Sequence, residues 1–153
     1  MANLEPLIQS IPVAPLKLAS LEGCRTLADQ VNNYLVSFRH ESPTNVGQAD
    51  SLQGYCADSY LLECECPRFG SGEGKGVLKE SVRGCDLFIM VDVTNYSLTY
   101  RVNGYENHMS PDNHYQDLKR IISAADGKAR RINVIMPFLY EGRQHKRSKR
   151  ESL

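Results

Sequence analysis

The stretch "DLFIMVDV", residues 86–93, decides the fold. Its apolar residues run nearly without a break, with none of the alternation of a half-exposed strand. That is the pattern of a parallel strand covered on both faces. Working outward, "LKLAS" at 16–20 is a second strand candidate, and Leu21, Cys24, Leu27, Ala28, Val31, Leu35 and Phe38 follow it at helical intervals. Downstream, "DNHYQDLKRIISAADG" (112–127) carries a helical stripe of Tyr115, Leu118, Ile121, Ile122 and Ala125, with Asp112 as a candidate cap and Gly127 as its end. "RINVIMPF" (131–138) is a further buried-strand candidate, and "DSYLLECEC" (58–66) another. The order β, α, β, β, α, β predicts an α/β fold with a mostly parallel sheet. At 153 residues the chain is long enough for one domain and short for two.

The connections carry the polar chemistry. Residues 39–57 show neither period and read as a loop or insertion. "PRFGSGEGKG" (67–76) places four glycines in seven residues. Residues 94–111 are a long excursion in which Asn103 and Gly104, set between alternating segments, predict a hairpin. At the start of the chain, Pro6, Pro12 and Pro15 interrupt residues 1–15, which read as an extended arm without a basic leader. The expected compartment is the cytoplasm. No apolar stretch approaches the ~20 residues of a membrane span, so no membrane association is expected.

Net charge is zero, but residues 128–153 hold eight Lys/Arg against two acids. The segment "GRQHKRSKR" (142–150) concentrates five of those cations, so anions are expected there. In parallel sheets ligands collect beyond the carboxyl ends of strands, where both the glycine-rich loop and this arm should emerge. Lys75 is followed by Gly76, which excludes a Walker loop. The basic arm contains no aromatic residue on which bases could stack, so nucleic acid is a subordinate reading. Cys64 and Cys66 point to one face of a strand and read as buried thiols in preference to a metal pair. His40, His108, His114 and His145 lack metal-ligand spacing and read as surface or capping residues.

Three segments taken together are more specific. "FGSGEGKGVLKESVRGCDLFI" (69–89), "DNHYQDLKRIISAADGKARRINVIMPF" (112–138) and "GRQHKRSKRES" (142–152) occur in a definite order and spacing. In these the chain resembles the amino-terminal half of the ribose-phosphate pyrophosphokinases, or phosphoribosyl diphosphate synthetases. The matching residues are Phe69 and Glu73 in a first loop, then Ser81, Val82, Arg83, Gly84 and Asp86, and finally Arg143, Gln144 and Lys146. His145 stands where the family usually has Asp, and the segments near 39–57 and 94–111 are extra, so the resemblance is to a divergent branch.

This resemblance implies a phosphoribosyltransferase-like three-layer fold spanning 16–141, with 142–153 as a basic ATP-contacting loop leading into a helix. It implies transfer of pyrophosphate from ATP, with magnesium, to ribose 5-phosphate. Phe69, Ser71, Gly72 and Glu73 would lie in the loop that reads adenine. Arg143, Gln144 and Lys146 would hold ATP, and Ser81 and Arg83 would lie near a regulatory anion site. A homodimer or hexamer is implied. The family's metal-binding histidine strand, flexible catalytic loop and ribose-5-phosphate loop follow the matched part, so the 153 residues alone are expected to be inactive. Two other readings remain: a non-catalytic regulatory homologue that associates with the synthetase, and a nucleic-acid-binding protein acting through the basic tail.

Overall fold

The computed structural model describes residues 12–41, 54–147 and 149–150. Strand β1 (Leu16–Ser20) leads through a 3-10 turn (Glu22–Cys24) into helix α1 (Arg25–Glu41). Two short strands follow, β2 (Leu61–Leu62) and β3 (Cys64–Glu65), then β4 (Val77–Leu78) and β5 (Asp86–Met90). The excursion is the hairpin β6 (Thr99–Val102) and β7 (Tyr105–His108). Helix α2 (Pro111–Ala124) and strand β8 (Arg131–Ile135) complete the order.

The main sheet has the order β2-β1-β5-β8, and every pairing in it is parallel. Its faces follow from strand alternation. Leu18 and Met90 cluster with Cys24 and Ala28 on the α1 side, whereas Ala19, Leu87 and Ile89 cluster with Leu118, Ile121 and Ala125 on the α2 side. The helices therefore cover opposite faces, and β5, buried at four of its five positions, is the covered strand expected from 86–93. The layers are helix, parallel sheet and helix.

Several elements differ from the sequence reading. Residues 58–66 do not form one strand: Leu61–Leu62 joins the parallel sheet, while Cys64–Glu65 pairs antiparallel with β4 in a separate ribbon. Strand β8 is an edge and not a buried strand, and Val134 and Ile135 stay partly exposed beside Phe138 and Leu139. Leu27 is exposed, because the stripe of α1 that meets the sheet runs through Cys24, Ala28 and Val31. Helix α1 continues to Glu41, taking the first residues assigned to the 39–57 insertion; residues 42–53 lie outside those described. Ser110 caps α2, since its extended backbone lets its hydroxyl accept from the Asn113 N–H, with Pro111 supplying a preset first turn. Asp112 has a different partner, described below. The hairpin turn is as expected, with Asn103 (φ 52°) and Gly104 (φ 83°) both left-handed.

Asp86, within the matched Ser-Val-Arg-Gly-x-Asp segment, is a structural residue. Its buried carboxylate accepts from Arg131 Nε (2.9 Å) and Nη2 (2.6 Å) and from Asn133 Nδ2 (2.9 Å), tying the edge strand to β5.

Three thiols sit in the core. Burial pushes Cys24 and Cys64 up to about 11 and Cys66 up to about 12, so all three stay protonated at mildly alkaline pH. A protonated thiol is a poor nucleophile. Brief iodoacetamide treatment of the native chain at pH 8.5, mapped by mass spectrometry, should label exposed Cys56 and spare Cys24, Cys64 and Cys66. The same treatment in urea should label all five cysteines.

Candidate functional site

The loop between β3 and β4 begins at the carboxyl edge of the sheet and closes on itself. Arg68 and Gly74 form an antiparallel bridge, the Phe69 N–H donates to the Glu73 carbonyl (2.8 Å), and the Gly72 N–H donates to the Phe69 carbonyl (2.9 Å). Gly72 has φ 90°, a left-handed value that a side chain would strain. Phe69, Ser71, Gly72 and Glu73 thus form one tight turn. Phe69 is 56% exposed, and the Ser71 hydroxyl donates to Glu73 Oε2 (3.0 Å), orienting that exposed carboxylate.

What positions the turn is an ion cluster that sequence reasoning missed. Arg68 grips Asp117 of α2 with both guanidinium nitrogens, Nη1 to Oδ1 at 2.7 Å and Nη2 to Oδ2 at 2.8 Å. Arg120, one turn further along α2, shares Oδ1 at 2.6 Å. The Arg68 and Asp117 side chains are only 8% and 6% exposed, so neither charge can turn to water. Tyr100 of the hairpin completes the cluster, with the Arg68 guanidinium 5.2 Å from its ring centre. Two glycines make this approach possible: a Cβ at Gly74 would collide with the Arg68 and Arg120 guanidiniums, and one at Gly76 with the backbone of Arg120. Glycines 74 and 76 therefore serve contact with the helix. Forty-nine residues separate Arg68 from Asp117, and no local pattern links them.

The basic arm follows β8 at the same edge. Tyr140 anchors its start: the ring packs edge-on against Tyr115 at 5.5 Å, and the hydroxyl donates to Asp112 Oδ1 at 2.5 Å. That carboxylate pushes the phenol up to about 12. Asp112 therefore anchors the arm to the first turn of α2. Beyond it, Arg143, Gln144, His145, Lys146 and Arg147 are exposed, with Gln144 Nε2 donating to the Lys146 carbonyl (2.7 Å). Among the described residues no hydrogen bond or ion pair joins the arm to the glycine-bearing turn. Residues 151–153, where a following helix is expected, lie outside those described.

Ser81 and Arg83 are elsewhere. They precede β5 and so lie at the amino end of the sheet, opposite the turn and the arm, with the Arg83 N–H donating to the Ser81 hydroxyl (3.3 Å). His114 corrects the surface assignment: it is 2% exposed, and its Nε2 lies 2.7 Å from the Asn95 carbonyl, fastening the excursion to α2. A cavity of about 120 Å³ beneath the hairpin is lined by Cys64, Cys66, Arg68, His114 and Asp117 among others. It is smaller than the roughly 300–1,000 Å³ of ordinary ligand sites.

Removing the Asp117 carboxylate would leave two guanidiniums clustered without their shared anion. Asp117→Ala should destabilise the chain by about 3–5 kcal/mol. Urea denaturation measures the loss, and trypsin should then cut at Arg68 and Lys75 well before it cuts within the parallel sheet.

Comparison with known proteins fits this architecture. The crystal structure of phosphoribosylpyrophosphate synthetase from Mycobacterium smegmatis superposes with a TM-score of 0.50 at 23% sequence identity, covering 81% of this chain and 30% of that one. The likeness is one of fold, and the chain spans less than a third of that structure's length. No curated protein sequence matches significantly. The family model described as the N-terminal domain of ribose phosphate pyrophosphokinase matches residues 16–153, from the first strand through the basic arm, and the chain belongs to that family.

Proposed function

We propose that this chain is the ATP-holding, amino-terminal part of a ribose-phosphate diphosphokinase, which transfers pyrophosphate from ATP to ribose 5-phosphate to give phosphoribosyl diphosphate and AMP. The observation that carries this reading is the Arg68–Asp117 clamp. It holds the Phe69–Glu73 turn exposed at the carboxyl edge of a parallel sheet, the edge from which the arm bearing Arg143 also departs.

The proposed roles follow from the side chains. Phe69 offers an apolar ring face to adenine, and Glu73 accepts from its exocyclic amine, with Ser71 and Gly72 shaping the turn. Arg143 pairs with phosphate oxygens through its planar fork, Lys146 adds a point charge, and Gln144 donates a neutral hydrogen bond. Pyrophosphoryl transfer depends chiefly on such positioning and charge neutralisation. Ser81 and Arg83, at the opposite end of the sheet, suit a separate anion-binding role. Among the described residues no three His, Cys, Asp or Glu side chains converge to hold a metal. Magnesium would arrive bound to the nucleotide, with its protein ligands mainly outside this segment. Exposed apolar residues on the edge strand, Val134 and Ile135, and just after it, Phe138 and Leu139, support homo-oligomerisation. No described helix is long and apolar enough to cross a membrane, which is compatible with a cytoplasmic enzyme.

Isothermal titration of the 153-residue chain with magnesium ATP is the test. Loss of a charge-assisted pair costs about 1.5–3 kcal/mol. Arg143→Ala should therefore weaken binding by roughly 10- to 100-fold, and Glu73→Gln should weaken it in the same direction. Supplied with ATP, ribose 5-phosphate and magnesium, the chain alone should form no AMP. Wild-type binding that is absent, or indifferent to both substitutions, would remove the reading.

A further inference from the structure

The excursion at 94–111 has no counterpart in the motifs that carry the family resemblance, yet it is firmly built in. His114 Nε2 meets the Asn95 carbonyl, the Met109 N–H donates to the Leu98 carbonyl (2.8 Å), and Arg68 packs on Tyr100. The hairpin is two-sided. In the register Tyr100↔Asn107 and Val102↔Tyr105, one face carries Tyr100, Val102, Tyr105 and Asn107. The other carries Thr99, Arg101, Glu106 and His108, with the Thr99 hydroxyl donating to Glu106 (2.7 Å).

The aromatic face is turned toward the glycine-bearing turn without closing on it. Gly72 lies so near the hairpin tip that a Cβ there would sit 3.5 Å from Val102 Cγ2. Between them opens a groove of about 400 Å³, lined by Ser71, Gly72, Tyr100, Val102, Tyr105 and Asn107 along with Asn103. The groove is shallow and open to solvent. A hairpin whose aromatic face served only packing would bury it. Here Tyr105 is 76% exposed.

We propose that this hairpin is the second wall of the nucleotide site: the base of a purine nucleotide enters the groove and stacks on Tyr105, with the Asn107 amide reading its edge. The proposal rests on the ATP reading above and extends it to residues that the resemblance leaves unassigned. A planar heteroaromatic ring is the occupant that the walls select. Tyr105 offers an exposed ring face, Asn107 offers both donor and acceptor, and Gly72 puts no side chain into the gap.

The test compares magnesium ATP with inorganic tripolyphosphate, which has the phosphates and no base, by titration of the 153-residue chain carrying Tyr105, Tyr105→Ala or Tyr105→Phe. Base stacking on an aromatic ring is worth enough that Tyr105→Ala should weaken ATP binding on the order of tenfold or more. Tripolyphosphate binding should be unchanged, and Tyr105→Phe should bind ATP like wild type. Equal ATP affinity in Tyr105→Ala and wild type overturns the stacking wall and leaves the ATP reading standing. Equal weakening of both ligands by Tyr105→Ala overturns it too, since the effect would not be on the base. Failure of the wild-type chain to bind ATP overturns the ATP reading and this proposal together.

Discussion

The candidate site depends on one buried carboxylate. Asp117 lies in the middle of the second helix, facing the ribbon and the hairpin, and two guanidiniums converge on it. A carboxylate so placed costs several kcal/mol in desolvation, repaid only by close pairing and well-formed hydrogen bonds. The geometry meets that demand, with a bidentate grip from Arg68 and a further bond from Arg120. In exchange the loop bearing Arg68 loses its freedom. The glycine-bearing turn is pinned against the helix at its root, and Phe69, Ser71 and Glu73 are left exposed at its tip. The same guanidinium carries Tyr100 on its face, so one charge cluster holds the loop and the hairpin in register with each other.

That coupling divides the sheet into two ends with different work. At the carboxyl ends of the parallel strands stand the turn, the hairpin and the arm anchored by Tyr140, all of them leaning on α2. At the amino ends lie Ser81, Arg83 and the ion pair of Asp86 with Arg131, which fastens the edge strand.

The layer order was legible in the sequence because the periods were strong. The unbroken apolar run at 86–93 announced a strand covered twice, and the stripe from Tyr115 to Ala125 announced the helix that covers it. Strand β8 misled, since Ile132, Val134 and Ile135 are as apolar as a central strand while the pairing leaves them on an edge. The sequence suggests Asp112 as the cap of α2, but the capping hydroxyl is that of Ser110, two residues earlier. Of the candidate site, the turn residues and Arg143 are assigned through family resemblance alone. Arg68 and Asp117 were not legible, because their partnership is made across forty-nine residues by tertiary packing alone. The tyrosines of the hairpin fell between these cases. The alternation of Tyr100 with Val102 and of Tyr105 with Asn107 was visible, but nothing in it told which way that face would turn.

The central claim is that the turn at Phe69–Glu73, held by Asp117, lies against the base of a bound adenine nucleotide. Photolabelling with 8-azido-ATP followed by tryptic mapping tests this most directly, because cleavage after Arg68 and Lys75 isolates residues 69–75 as one peptide. The account predicts label on that peptide, suppressed by excess ATP. Label that ATP does not suppress, or ATP-suppressible label confined to the amino end of the sheet around Ser81 and Arg83, would contradict it.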